Sequence, residues 1–144
     1  MSRILLPSMA VGTSIVLDQQ QCAQDPTPVF FFISYILISN SYAFDVSCIH
    51  NEAFLVNKRL FAVADTTIPD GIKCDLKGNV YSGICGGDGV AVWSPGGVLI
   101  GKIVVPGGAA NFCFGRDGEM FILNENKVWR AKLGSGTKGA LLGI

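Results

Sequence analysis

One segment of this chain recurs at fixed spacing, and that repeat limits the fold more than any other feature. Ile72-Lys73-Cys74-Asp75-Leu76-Lys77-Gly78-Asn79-Val80-Tyr81 aligns with Phe112-Cys113-Phe114-Gly115-Arg116-Asp117-Gly118-Glu119-Met120-Phe121 at an offset of 40 residues. Each copy is an apolar strand, a glycine turn and a second apolar strand. Downstream, Gly89-Val90-Ala91-Val92-Trp93 matches Asn126-Lys127-Val128-Trp129, and Tyr42-Ala43-Phe44-Asp45 reads as an earlier copy of the same third strand. A generic antiparallel meander would share the strands and turns but has no reason to repeat them at one spacing. A period near 40 built from about four short strands is the blade signature of a β-propeller.

Composition agrees with short strands rather than long helices. Of 144 residues, 49% are hydrophobic, 15% are charged and 18 are glycine, a balance suited to buried strands joined by tight turns. Strands are expected near Ser41–Val46, Arg59–Ala64, Gly71–Cys74, Val80–Ser82, Gly89–Trp93, Leu99–Val104, Asn111–Phe114, Met120–Leu123 and Lys127–Lys132. Turns are expected at Leu76-Lys77-Gly78-Asn79, Ser94-Pro95-Gly96-Gly97, Pro106-Gly107-Gly108 and Arg116-Asp117-Gly118. Before about residue 40 this rhythm is missing, so residues 1–40 are read as an irregular or non-homologous segment and 41–144 as the blades. The apolar run from Pro28 to Ile38 falls short of the roughly 20 residues a membrane-spanning helix needs, and its β-branched and aromatic content suits a buried strand.

Eleven basic and eleven acidic residues leave no net charge, and neither sign forms a run, so nucleic acid and membrane surfaces are not expected partners. The five cysteines stand singly, with no C-x-x-C pair and one histidine, His50, which argues against a zinc cluster and against a complete disulfide framework. Cys74 and Cys113 fall in strand-like runs and read as small buried hydrophobes. The expected compartment is therefore the reducing cytoplasm. Secretion stays open because Arg3 precedes an apolar stretch, although Pro7 and Gly12 interrupt it.

The segment Ile68-Pro69-Asp70-Gly71-Ile72-Lys73-Cys74-Asp75-Leu76-Lys77-Gly78-Asn79-Val80-Tyr81 resembles the P-D-G-[I/L/M]-x-x-D-x-x-G-x-[I/V/L]-[W/Y] pattern of the senescence-marker-protein/gluconolactonase (regucalcin-like) family. Gly89-Val90-Ala91-Val92-Trp93-Ser94-Pro95-Gly96-Gly97, Gly101-Lys102-Ile103 and the stretch from Pro106 to Gly115 resemble the next strands of that family in order. The resemblance implies an all-β chain holding about two and a half blades of a six-bladed propeller. It also implies a divalent metal, calcium before zinc, held by oxygen ligands near the channel, and hydrolysis of a sugar or related lactone. The aspartate of the P-D-G motif is a metal ligand of the family and corresponds to Asp70.

Asp70 is accordingly the candidate both for metal binding and for catalysis; no organic cofactor is expected. A hard cation would polarise the lactone carbonyl and lower the pKa of a bound water, with a carboxylate taking the proton. Read without the resemblance, Pro69-Asp70-Gly71 is a tight turn. The glutamate and the N-G asparagine that supply further ligands in the family have no recognisable copy in this chain. About two and a half blades leave sheet faces uncovered, so self-association is a second expectation. The alternative function is a non-catalytic propeller piece that binds a partner through those faces.

The remaining polar residues read as structural. Asp75, Asp88 and Asp117 are expected to form turns, Asn111 to cap backbone, and Trp93 and Trp129 to pack between sheets. His50 lies in a polar connection with no carboxylate at readable spacing. Gly83-Ile84-Cys85-Gly86-Gly87-Asp88-Gly89 is glycine-rich, yet no helix follows to complete a phosphate cradle.

Overall fold

The repeated segment folds as two antiparallel sheets that copy one another. In the computed structural model of the chain, residues 15–16, 30–35, 38–50, 52–64, 68–87 and 89–140 are described. The second sheet runs β5 (Ile68–Cys74), β6 (Val80–Cys85), β7 (Gly89–Trp93) and β8 (Leu99–Val104), each strand pairing with its neighbour in sequence. The third sheet repeats this order with β9 (Asn111–Phe114), β10 (Glu119–Asn124) and β11 (Lys127–Lys132). Four-residue turns set two registers within the second sheet: before β6, Gly78 N donates to Asp75 O at 3.0 Å, and before β8, Gly97 N donates to Ser94 O at 2.9 Å.

The first sheet contains β1 (Ile15–Val16), β2 (Phe30–Tyr35), β3 (Ile38–Ile49) and β4 (Glu52–Val63) in that order. Its last strand leads to the first strand of the second sheet, and β8 leads likewise to β9. This outer-to-inner step is the connection of a propeller, and the three sheets are its blades. β5 touches β1, β2 and β3 on one side and β9 on the other, which places the first strands of the blades together around one axis.

Two expectations change here. The segment before residue 40 is not irregular where it is described: Phe30–Tyr35 pairs with β3, from Phe30 opposite Asp45 to Ser34 opposite Ser41. The run of aromatic and β-branched residues outweighs the missing turn pattern. Second, β3 and β4 form one long hairpin that carries strand through residues expected to connect. His50 stands exposed beside its tip at φ 53, a left-handed conformation reached without glycine.

The core lies between blades. Ala43, Ile72 and Val80 form one cluster between the first and second blades, and Ala62, Ala64, Ile84, Ala91 and Trp93 form another. Between the second and third blades, Tyr81, Val90 and Val92 meet Phe112, Phe114, Met120 and Ile122. Tyr81 and Phe114 stack edge to face with centroids 5.1 Å apart, a geometry that adds to the area buried. Trp93 is buried and Trp129 packs on this last cluster, as expected of packing residues.

The match of Trp93 to Trp129 nevertheless slips by two residues. Ser82 pairs with Ala91 and its repeat partner Ile122 pairs with Trp129, so Trp129 occupies the place of Ala91. A slip of two keeps a side chain on the same face of a strand, which is why the sequence pattern hid it.

Cys113 also departs from expectation: it is exposed, because Phe112 and Phe114 take the inward positions and alternation turns Cys113 outward. Among the described residues after β11 no fourth strand of this sheet forms. Residues 133–140 cross to the second blade, where Leu76 N donates to Lys138 O and Ala140 N to Cys74 O, both at 2.9 Å.

Candidate functional site

Asp70 lies in a β-bulge, not in a turn. Pro69 pairs with Ile84 and Ile72 pairs with Ser82, so Asp70 and Gly71 together face the single residue Gly83. A bulge bends the strand and re-aims the side chain it carries, a device found beside active sites. The motif resembles a turn in sequence because proline and glycine flank the aspartate. In the fold Pro69 is buried and Gly71 permits a close approach from the next blade.

That approach is tight. Gly71 N donates to Ala110 O at 2.8 Å, and a Cβ on Gly71 would lie 2.4 Å from Asn111 Oδ1. A Cβ on Gly83 would lie 2.6 Å from Ala109 O. Two glycines on adjacent strands of the second blade thus admit residues 109–111 of the third. Asn111 is thereby laid across Gly71, next to Asp70. Its own Oδ1 accepts Phe112 N at 2.8 Å, the backbone cap expected of it.

Asp70 is half-buried, and desolvation raises its carboxyl pKa above the ordinary 3.8. Burial therefore disfavours the ionised form of this carboxylate. Asp75 is different. It is 3% exposed and accepts Lys77 N and Asn79 N at 2.9 Å, Asn79 Nδ2 at 2.8 Å and Tyr81 Oη at 3.1 Å. Its carboxylate organises the β5–β6 turn, as a turn former should. Burial, and after it the Asp75 charge, pushes the Tyr81 hydroxyl well above the ordinary tyrosine range.

A calcium shell takes six to eight oxygens. Among the described residues no group of three or more His, Cys, Asp or Glu is placed to hold a metal ion. Asp70 offers one carboxylate and the amide oxygen of Asn111 is committed to backbone. The described residues therefore do not complete a metal site, and Asp70 fits one only as a partial ligand set.

The sequence matches the SMP-30/Gluconolactonase/LRE-like region over residues 37–126. The chain belongs to this family. The fold is similar to the X-ray structure of a protein assigned as a gluconolactonase, with TM-score 0.64 at 19% identity over 76% of this chain and 36% of the other. A gluconolactonase from Xanthomonas campestris is similar with TM-score 0.60 at 25% identity, covering 76% of this chain and 34% of that one. A luciferin-regenerating enzyme gives TM-score 0.55 at 16% identity over 79% and 54%. The chain therefore spans about a third of the length of the two gluconolactonases and about half of the third protein. In this chain the P-D-G motif quoted above is the β5 bulge.

The other singled-out residues lie apart from Asp70. His50 is beside the tip of the β3–β4 hairpin, and Asp117 is exposed in the β9–β10 turn at φ 54. Asp88 lies outside the described residues, as does Cys22. Cys74, Cys85 and Cys113 are free thiols. No described helix is long and apolar enough to cross a membrane. Sequence reasoning missed the polar turn Glu125-Asn126, which joins β10 to Lys127 at the start of β11, at the end of the blades that carries Asp70. Its only cue was a reversal of apolar character between two strands.

Proposed function

We propose that the chain takes part in hydrolysis of a sugar or related lactone, with Asp70 as the residue that carries chemistry. The observation that supports this reading is the bulge, which holds a half-buried carboxylate of raised pKa in β5, the first strand of its blade, in a member of the SMP-30/gluconolactonase family. In that role Asp70 takes a proton from water as the water oxygen bonds to the lactone carbonyl carbon. The ring C–O bond then breaks, and the leaving alkoxide takes up the proton to give the open hydroxy acid. A divalent cation belongs to the same proposal, calcium before zinc because the available donor is an oxygen. Asp70 would be one ligand among several supplied from outside the described residues.

Calorimetric titration of the full chain with calcium and with zinc, beside a lactone-hydrolysis assay, tests the reading. Binding and turnover that both disappear in Asp70→Ala are expected. Hydrolysis unchanged in Asp70→Ala would remove Asp70 from the chemistry. A chain that neither binds metal nor turns over lactone would favour the second reading, a propeller piece that binds a partner or a second copy of itself. The third blade supports that second reading. Phe121, Leu123 and Val128 share the face turned away from the second blade, and Val128 is 68% exposed.

A further inference from the structure

The two seams between blades are filled by side chains of different size. Phe112, Phe114, Met120 and Ile122 of the third blade face the second, with Trp129 packed beside them. In the seam between the first and second blades, Ala62 and Ala64 meet Ile84, Ala91 and Trp93. Ala91 holds the place that Trp129 holds one blade later, and Ser82 the place of Ile122. Sheets packed face to face stand about 10 Å apart, a gap that alanines alone do not fill. The space an indole takes in one seam is left open in the other.

A cavity of about 150 Å³ lies there. Ala64, Ile84, Ala91 and Trp93 form its buried floor, and Val63 and Leu99 stand at its mouth, 51% and 41% exposed. Gly97 bounds it at φ 81. A Cβ on Gly97 would lie 2.3 Å from Phe61 O, so the β7–β8 turn lies directly on the first blade. Lys102 pairs with Ala91 and so shares its face of the sheet, and it lines the same cavity from an exposed position. Among the described residues that line the cavity, Lys102 is the one charged side chain.

We infer that this seam binds a small aromatic carboxylate, with its ring between the blades and its carboxylate at Lys102. An apolar cavity of about 150 Å³ takes a benzene ring. Trp93 adds an aromatic wall, against which a ring gains more than an alkyl chain of similar area. The ammonium at the rim selects the anion over its neutral analogue and fixes which end of the ligand faces water, because a carboxylate turned inward would be desolvated without a partner. None of these residues takes part in the lactone chemistry, so occupancy of the seam is independent of turnover.

Benzoate titrated into the full isotopically labelled chain tests the site. Saturable shifts of the Trp93 indole N–H and of the Ala64 and Ala91 amides are expected, with the Trp129 indole unmoved. Absence of saturable shifts, or shifts confined to other residues, overturns the site. Ala91→Leu fills the cavity and should abolish binding; binding that survives in the folded variant overturns it equally. Lys102→Gln changes an exposed position and leaves the core intact, so it decides the matter even if Ala91→Leu does not fold. It should weaken benzoate about fivefold and leave benzyl alcohol unchanged. Unchanged benzoate affinity in Lys102→Gln overturns the role of the ammonium, and hexanoate binding as tightly as benzoate overturns the choice of an aromatic ring.

Discussion

The hydroxyl of Tyr81 donates to the buried carboxylate of Asp75 at 3.1 Å, from a strand on the far side of the turn that Asp75 itself holds. This bond joins the turn to the cluster between the second and third blades, because the Tyr81 ring lies against Phe112 and Phe114. Replacing Asp75 by Ala removes the acceptor of two part-buried backbone N–H groups, of the Asn79 amide and of the buried tyrosine hydroxyl. A loss of about 3 kcal/mol in urea unfolding is expected. Tyr81→Phe should cost about 1 kcal/mol, and the double variant less than the sum, since both remove the same bond.

Glycine at 83 is expected to matter more than glycine at 71. A Cβ on Gly83 meets the Ala109 carbonyl at 2.6 Å, a backbone group that can yield only by moving the third blade. The nearest atom for Gly71 belongs to the Asn111 side chain, which can rotate. Gly83→Ala should lower stability by about 1–3 kcal/mol. Gly71→Ala should cost less, and Gly101→Ala, where nothing lies within 4 Å, should be near neutral. Thermal unfolding of the three variants gives the order directly.

The pH dependence of stability should carry the mark of Asp70. Its folded pKa is raised by desolvation, so folding disfavours the ionised form. The sign follows: the contribution to stability is fully present below the ordinary value of 3.8 and is lost as pH rises through the folded pKa. Asp70→Asn removes that loss. The variant should be the more stable at neutral pH, with the difference shrinking as pH falls into the acid range; a gap that widens on acidification would contradict the assigned cause.

Thiol reactivity should separate the cysteines. Cys85 and Cys113 are exposed, and Cys74 is half-buried on the cluster shared by Ile72 and Val80. A disulfide-exchange reagent should react fast with the first two in the native chain, and with Cys74 only as the chain unfolds. Alanine at each position identifies the phases.

Much of this fold could be read before it was seen, and the reasons differ by element. β7, β8, β9 and β11 match the expected bounds, the first three because glycine-containing turns flank them and β11 because it repeats the third strand of the blade before it. The β3–β4 hairpin was largely hidden. Ser47, Asn57, Lys58 and Arg59 break the apolar pattern, and the pairing is held there by exposed polar contacts such as Arg59 Nη1 to Asp45 Oδ1 at 2.8 Å. Asp70 was legible as a candidate only through a motif. Its geometry was not, since a bulge depends on which residues of β6 stand opposite, a matter of pairing rather than of local sequence.

The crossing of residues 133–140 to the second blade has a consequence for how the molecule opens. Leu76 and Cys74 receive partners from a segment that leaves β11, so the strap can separate from one blade only by releasing both. Gly139 lies against the Phe114 ring, inside the same seam. The second and third blades are therefore expected to open together as one cooperative unit. Amide protons of β6 and β10 should exchange with a common free energy of opening, and those of β4 should exchange at a lower one, so that the carboxylate of Asp70 sits on the side of the seam that opens last.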